Sequence, residues 1–240
     1  MDLSAREAGD ILGISERAMC RMARRGDIPA TRLRDQYRFN RAELLEWVLS
    51  RNLNPPPALL QDHQDSAAEP LPSLTKALRT GGIHYEVVAW DRTSALRALV
   101  GLLPLPASVD REALLSLFRA REELASTGLG EGIAIPHVRN PLVLRVEQPL
   151  VMLCFLTEPV DFQALDGKPV FALFSLVTPT VRAHLHLLSR LAYTLQDWQV
   201  RDAVNRRASP EELLNWIERV ESALGRIAVG GIEPTGTKRF

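Results

Sequence analysis

The sequence predicts a two-domain chain. A small, mostly α-helical unit should occupy residues 1–53, and an α/β layered unit with a mixed sheet flanked by helices should occupy residues 70–222. Three observations carry this reading. Asn54-Pro55-Pro56-Pro57 interrupts the chain, because consecutive prolines lack amide donors and restrict the residue before them. Before the break, short apolar stripes recur at helical spacing. After it, apolar runs of strand length alternate with helical patterns. Residues 54–69, polar and proline-bearing, read as a linker with stiff, extended character, and residues 223–240 as a tail that frays from Gly230.

In the first unit, Ser4 can cap a helix over residues 4–12, with Glu7 at the capping-box position and Ala5, Ala8, Ile11 and Leu12 on one face. Gly13 ends that helix, Ser15 caps a second that reaches Arg25, and Gly26 stops it. Residues 27–39 have β-like spacing around Asp35 and Gln36, which predicts a hairpin. Asn40 then caps a third helix carrying Leu44, Leu45, Trp47 and Val48.

In the second unit, helices are expected over residues 74–78, 94–103, from Asp110 through Phe118, from Pro179 through Leu195, and over 211–220 after Ser209-Pro210. Strands are expected over 83–88, 149–156 and 170–177. The last two are nearly continuous apolar runs, as when helices cover both faces of a sheet.

Composition narrows the function classes. Lys+Arg and Asp+Glu are both 29, so the formal net charge is zero and the total does not advertise nucleic acid or an acidic substrate. The two cysteines, Cys20 and Cys154, fall in different units and make neither a disulfide framework nor a metal cluster. With no apolar run of about 18 residues and no signal-peptide pattern, a soluble cytoplasmic protein without membrane insertion, metal or cofactor is expected.

The most informative stretch runs Ser126-Thr127-Gly128-Leu129-Gly130-Glu131-Gly132-Ile133-Ala134-Ile135-Pro136-His137. Its glycines let an anion or another molecule approach the main chain, and Pro136 stiffens the chain before a histidine. Imidazole is a neutral nucleophile near pH 7 and suits reversible phosphoryl carriage. Arg121 offers a planar fork of donors for phosphate oxygens, and His184 lies at the start of a helix whose dipole favours anions. Spacing alone leaves plainer readings open: a solvated loop histidine, a helix-surface arginine, and ordinary helix histidines at 184 and 186.

Arg121-Glu122, the 126–137 string and Ala183-His184-Leu185-His186-Leu187-Leu188-Ser189 resemble the enzyme IIA domains of the phosphotransferase system, in the fructose/mannitol and nitrogen-regulatory class. The resemblance spans roughly 150 residues. It implies that His137 accepts phosphate from a histidine-containing phosphocarrier protein, that His184 is its pocket neighbour, and that Arg121 stabilises the phosphate. Val138-Arg139-Asn140-Pro141 departs from relatives that have a small residue after the histidine. No permease-like segment accompanies the domain, which favours regulation over transport.

Gly13-Ile14-Ser15 between two short helices is a helix-turn-helix pattern, and the hairpin after it would form a wing. Arg17, Arg21 and Arg24 recur at helical spacing on the second helix, with Arg32, Arg34 and Arg38 on the hairpin and no lysine before Lys76. A recognition helix would place cations this way for bases and phosphates. Asp2, Glu7, Asp10, Glu16, Asp27 and Asp35 offset them, so a solvated helix face is the plainer alternative.

Residues 3–48 also resemble excisionase-like and MerR-like winged helix modules. The match lies in Leu12-Gly13-Ile14-Ser15, Arg21, Gly26, Ile28-Pro29-Ala30 and Arg38-Phe39, with Glu16 and Cys20 departing from it. That resemblance implies binding to duplex DNA, and the few contacts one small module can make point to a homodimer. The leading expectation is a regulator in which phosphorylation of His137 is coupled to DNA binding. The alternatives are a phosphocarrier that docks a regulatory protein partner and a IIA component of sugar uptake.

Overall fold

The computed structural model describes residues 2–33, 35–51, 56–60, 71–107, 109–138 and 146–229. The expectations for Arg34, for 139–141, for most of the 54–69 linker and for the tail from Gly230 fall outside the described residues.

The first unit forms α1 (Ala5–Leu12), α2 (Glu16–Arg25), β2 (Thr31–Leu33), β3 (Gln36–Asn40) and α3 (Arg41–Ser50). The capping box on α1 is complete. Ser4 Oγ accepts from the Glu7 amide at 3.2 Å, and the Ser4 amide donates to Glu7 Oε2 at 2.8 Å. Gly13 caps α1 at φ 68°, a left-handed conformation that glycine adopts without Cβ strain, and this sets the turn into α2. Ser15 caps α2 by accepting from Ala18. Met19 is fully buried, Met22 and Ala23 half-buried, and Arg17, Arg21 and Arg24 exposed, as the helical spacing requires. The hairpin β2–β3 gains a strand not anticipated from sequence. β1 (Asp2–Ser4) pairs antiparallel with β3, setting Leu3 opposite Phe39. Phe39, Leu44, Leu45 and Val48 close a small core with Ala8 and Met19.

The linker does not stay extended: it contains α4 (Pro57–Leu60), whose Leu59 is buried. Proline is tolerated in the first turn of a helix, and Leu59 has an apolar surface to cover. α4 lies against α1. The guanidinium of Arg41, at the start of α3, donates from Nε to the carbonyl of Leu59 at 3.2 Å and from Nη2 to that of Ala58.

The second unit comprises α5 (Leu74–Gly81), β4 (Ile83–Val87), α6 (Arg92–Leu102), α7 (Arg111–Leu124), β5 (Gly128–Gly130), β6 (Ile133–Ala134), β7 (Leu150–Val160), β8 (Val170–Val177), α8 (Val181–Thr194), α9 (Trp198–Asn205) and α10 (Pro210–Val229). Its sheet runs β4-β7-β8-β6-β5, with β4–β7 and β6–β8 parallel and the other pairs antiparallel. Alternation along the central strands splits the core. Val151, Leu153 and Phe155 of β7 with Ala172, Phe174 and Leu176 of β8 face α5, α8, α9 and α10. Met152, Cys154 and Leu156 with Leu173 and Val177 face α6 and α7. Both faces are therefore covered, which is why these strands read as unbroken apolar runs.

Two elements differ from expectation. α9 is separate from α8, with Leu195 as the C-cap and Asp197 capping the next helix through the amides of Gln199 and Val200. α10 continues to Val229, beyond the expected boundary at 222. Among the described residues, no helix is long and apolar enough to cross a membrane.

Candidate functional site

Parallel strands β6 and β8 end side by side, and chemistry in layered α/β domains gathers beyond such strand ends. His137 follows β6 through Pro136 and bridges Leu176 of β8. From β8 the chain turns through Thr178 into α8, where Thr180 caps by accepting from Ala183 at 3.1 Å. His184 thereby lands in the first turn of α8, beside His137. Their rings lie 5.3 Å apart between centroids and are tilted by 48°. Both are buried, at 3% and 2% exposure.

The glycine-rich segment is a hairpin. β5 and β6 are joined by Glu131 and Gly132, both at positive φ (52° and 80°), as a type I′ turn requires. At Gly132 an added Cβ would also lie 2.4 Å from the Phe171 ring, so no side chain fits. Glu131 is held outside by an ion pair with Arg201. The ladder continues past β6, with the Ile135 amide donating to the Thr127 carbonyl at 3.0 Å.

His137 Nδ1 lies 2.7 Å from the Ile135 carbonyl oxygen. A carbonyl only accepts, so Nδ1 carries a proton in this bond. The backbone thus orients the imidazole through its Nδ1 side.

Arg121, near the end of α7, is 8% exposed and donates from Nη1 to the Ala125 carbonyl at 2.9 Å. It lines, with His137, Ser126, Thr127, Leu129, Ile135 and Gln163, a cavity of about 550 Å³. The structure thus brings all three expected residues of this unit together: His137 and Arg121 on the cavity wall and His184 behind His137.

Sequence reasoning did not assign Glu122 a role. It is 3% exposed and its carboxylate accepts from the Thr127 amide at 3.0 Å and from Thr127 Oγ1 at 2.6 Å. Ser126 Oγ meanwhile donates to the Phe162 carbonyl at 2.6 Å and accepts from the Gly128 amide at 3.0 Å. These bonds pin the loop that leads into the hairpin. A threonine five residues after an acid at a helix end was the available signal. Gln163, a lining residue held at φ 55°, had none.

The remaining wall of the cavity comes from the first unit. Residues 26–30, Glu43 and Trp47 of α3 and Arg51 just after that helix line it. Glu43 and Trp47 lie four apart, on one face of α3. Trp47 Nε1 donates to the Asp27 carbonyl at 2.7 Å, and Arg51 lies over the Trp47 ring at 4.7 Å. The arginines of α2 and the hairpin lie elsewhere. Arg17, Arg21, Arg24 and Arg32 are exposed, and Arg38 is half-buried with Nη2 donating to Gln36 at 3.3 Å.

A mixed five-stranded sheet with a buried histidine pair at its parallel strand ends, preceded by a helix-turn-helix unit, defines a class of two-part protein. The family described as "Phosphoenolpyruvate-dependent sugar phosphotransferase system, EIIA 2" matches residues 77–220, and a "Helix-turn-helix domain" family matches residues 3–52. The chain belongs to the first family and carries the second domain at its N-terminus. It is 38% identical over 115 residues to a nitrogen regulatory protein of Pseudomonas aeruginosa, covering 47% of this chain and 73% of that one. It is 37% identical over 163 residues to a nitrogen regulatory protein of Klebsiella oxytoca, covering 67% and 96%. The crystal structure of nitrogen regulatory protein IIA-Ntr from Neisseria meningitidis superimposes with a TM-score of 0.53 at 31% identity, covering 60% of this chain and 98% of that one.

Proposed function

We propose that this protein is a regulatory IIA of the phosphotransferase system that is phosphorylated on His137 by a histidine-containing phosphocarrier protein and couples that state to duplex DNA. The observation that carries the first part is the bond from Nδ1 to the Ile135 carbonyl, which leaves Nε2 as the nucleophile in a cavity shared with Arg121. In the transfer, phosphorus leaves the donor imidazole nitrogen, which keeps the bonding pair, and bonds to Nε2 of His137. Arg121 neutralises charge on the moving group, and the buried ring of His184 fixes the orientation of His137. The similarity to nitrogen regulatory proteins supports regulation over sugar uptake.

Exposed Arg17, Arg21 and Arg24 on α2, exposed Arg32 and half-buried Arg38 on the hairpin strands, and Arg34 between them in sequence support the second part. A single small module covers only about 600–1,000 Å², so the DNA-binding form is a dimer with two recognition helices about 34 Å apart.

The test has two arms. Incubation with phosphoenolpyruvate and the phosphocarrier, then peptide mapping at neutral pH, should find acid-labile phosphate on the His137 peptide. Phosphate on His184 instead would contradict the assignment. Shift assays on genomic fragments at two salt concentrations should show salt-sensitive binding. A full chain that ignores duplex DNA at low salt would retire the DNA reading in favour of a protein-docking module.

A further inference from the structure

The winged module is seated on the carrier domain beside His137 and walls the cavity that His137 lines. α3 packs on β5 of the glycine-rich hairpin and on α8, the helix of His184. Residues 26–30, the Glu43 and Trp47 face of α3 and Arg51 wall the cavity beside His137. α4 fastens the arrangement from the side: it touches α1 of the module and α8 of the carrier, and its Leu59 is 3% exposed. One apolar core runs from Ala8 and Phe39 through Leu59 to Leu187 and Leu188. At the cavity mouth Leu124 and Leu165 stay 67% and 69% exposed, an apolar rim that the module leaves uncovered.

Transfer between two imidazoles needs the attacking nitrogen about 3–3.5 Å from the phosphorus. A donor imidazole therefore has to enter this cavity, and in a carrier protein it comes with the surface that bears it. A cavity of about 550 Å³ has the size of a small-molecule site. It holds a phosphoryl group and a ring but not a protein face. Meanwhile Arg17, Arg21 and Arg24 remain exposed with the module seated.

We propose that the winged module and the phosphoryl-donor protein compete for one face of the carrier domain, so that loading His137 from a protein donor requires the module to lift off. The proposal rests on His137 as the phosphoacceptor. By linkage, whatever favours the seated module slows loading, and the donor's binding unseats the module by the same factor.

The experiment compares two donors on the full chain: the phosphorylated phosphocarrier protein and phosphoramidate, a small phosphoryl donor that fits the cavity. Leu59→Ala loosens the α4 clamp, and Arg41→Ala removes the bonds by which the start of α3 holds the carbonyls of α4. Neither residue touches the reacting groups, and thermal melts identify a variant that has lost its fold. Labelling by the protein donor should accelerate in whichever variant folds by roughly 5–150-fold, the usual span of coupling between sites. Labelling by phosphoramidate should match the parent. Equal rates in parent and variant with the protein donor would overturn the proposal. So would an equal gain with both donors, which would mean that the site itself had changed. Failure of both donors to label the parent, or full labelling of His137→Ala, would instead remove the phosphoacceptor reading beneath it.

Discussion

The two arginine-bearing regions of this chain solve opposite problems. Arg121 is nine-tenths buried, bonded to a carbonyl of its own helix end, and shares a cavity with a histidine whose ring is oriented by the backbone. Arg17, Arg21 and Arg24 stand in solvent on a helix whose only buried residue is Met19. Under the proposed function, moving a phosphoryl group would require a few groups fixed at bond-making distance, which suits the pinned first region. Gripping a polyanion would require several cations that each contribute a little, which suits the open second region. The difference teaches that one substitution should be severe at the first site and graded at the second.

The severe case is Arg121→Ala. Loss of a charge-assisted bond to phosphate costs about 1.5–3 kcal/mol, and labelling of His137 should slow roughly tenfold to hundredfold. An unchanged rate in a time course would break the comparison, because Arg121 would then behave like a surface charge.

Next in size is Glu122→Ala, which leaves the buried Thr127 amide and hydroxyl without their acceptor. Each stranded donor costs about 1–3 kcal/mol. At about 2–4 °C per kcal/mol in a domain of this size, the melting temperature should fall by several degrees. Thr127→Val, which strands less, should fall by less. A melt indistinguishable from the parent would mean that the loop is not pinned as described.

On the open helix the effects should be smaller and additive. Arg17→Ala, Arg21→Ala and Arg24→Ala should each lower the magnitude of the log–log salt slope of DNA binding by about 0.9 if the side chain meets one phosphate. A single substitution that abolished binding at low salt would show that this helix, too, relies on one fixed contact.

The smallest effect separates the two units by their thiols. Burial pushes the Cys154 thiol up to about 12, so at pH 8 it stays protonated in the sheet core. Cys20 is half-buried on α2. Iodoacetamide at pH 8 should modify Cys20 and leave Cys154 intact until denaturant is added. Early modification of Cys154 would indicate that the central strands open.

The same contrast explains what could be read in advance. The apolar runs of β7 and β8 and the string ending at His137 were legible because burial on both faces and backbone special positions constrain residue type directly. β1 was not, since three residues pair with a strand more than thirty positions away and leave no local period. α4 was hidden by its prolines and is fixed by what Leu59 covers. Trp47 is expected on the third helix with Leu44, Leu45 and Val48, and only the packing of α3 on β5 and α8 makes it a cavity wall. Glu122 reads as a surface acid until Thr127 is seen to donate to it twice. The expected DNA contacts on Arg17, Arg21 and Arg24 rest on exposure and spacing, the least constraining of these signals.

The central claim is that His137 carries the phosphoryl group, and the most direct measurement is the acid-labile phosphate incorporated from phosphoenolpyruvate through the phosphocarrier by the parent, His137→Ala and His184→Ala chains. The account predicts one equivalent on the parent, none on His137→Ala at an unchanged circular dichroism spectrum, and slowed incorporation on His184→Ala. Undiminished acid-labile phosphate in a folded His137→Ala chain would contradict it.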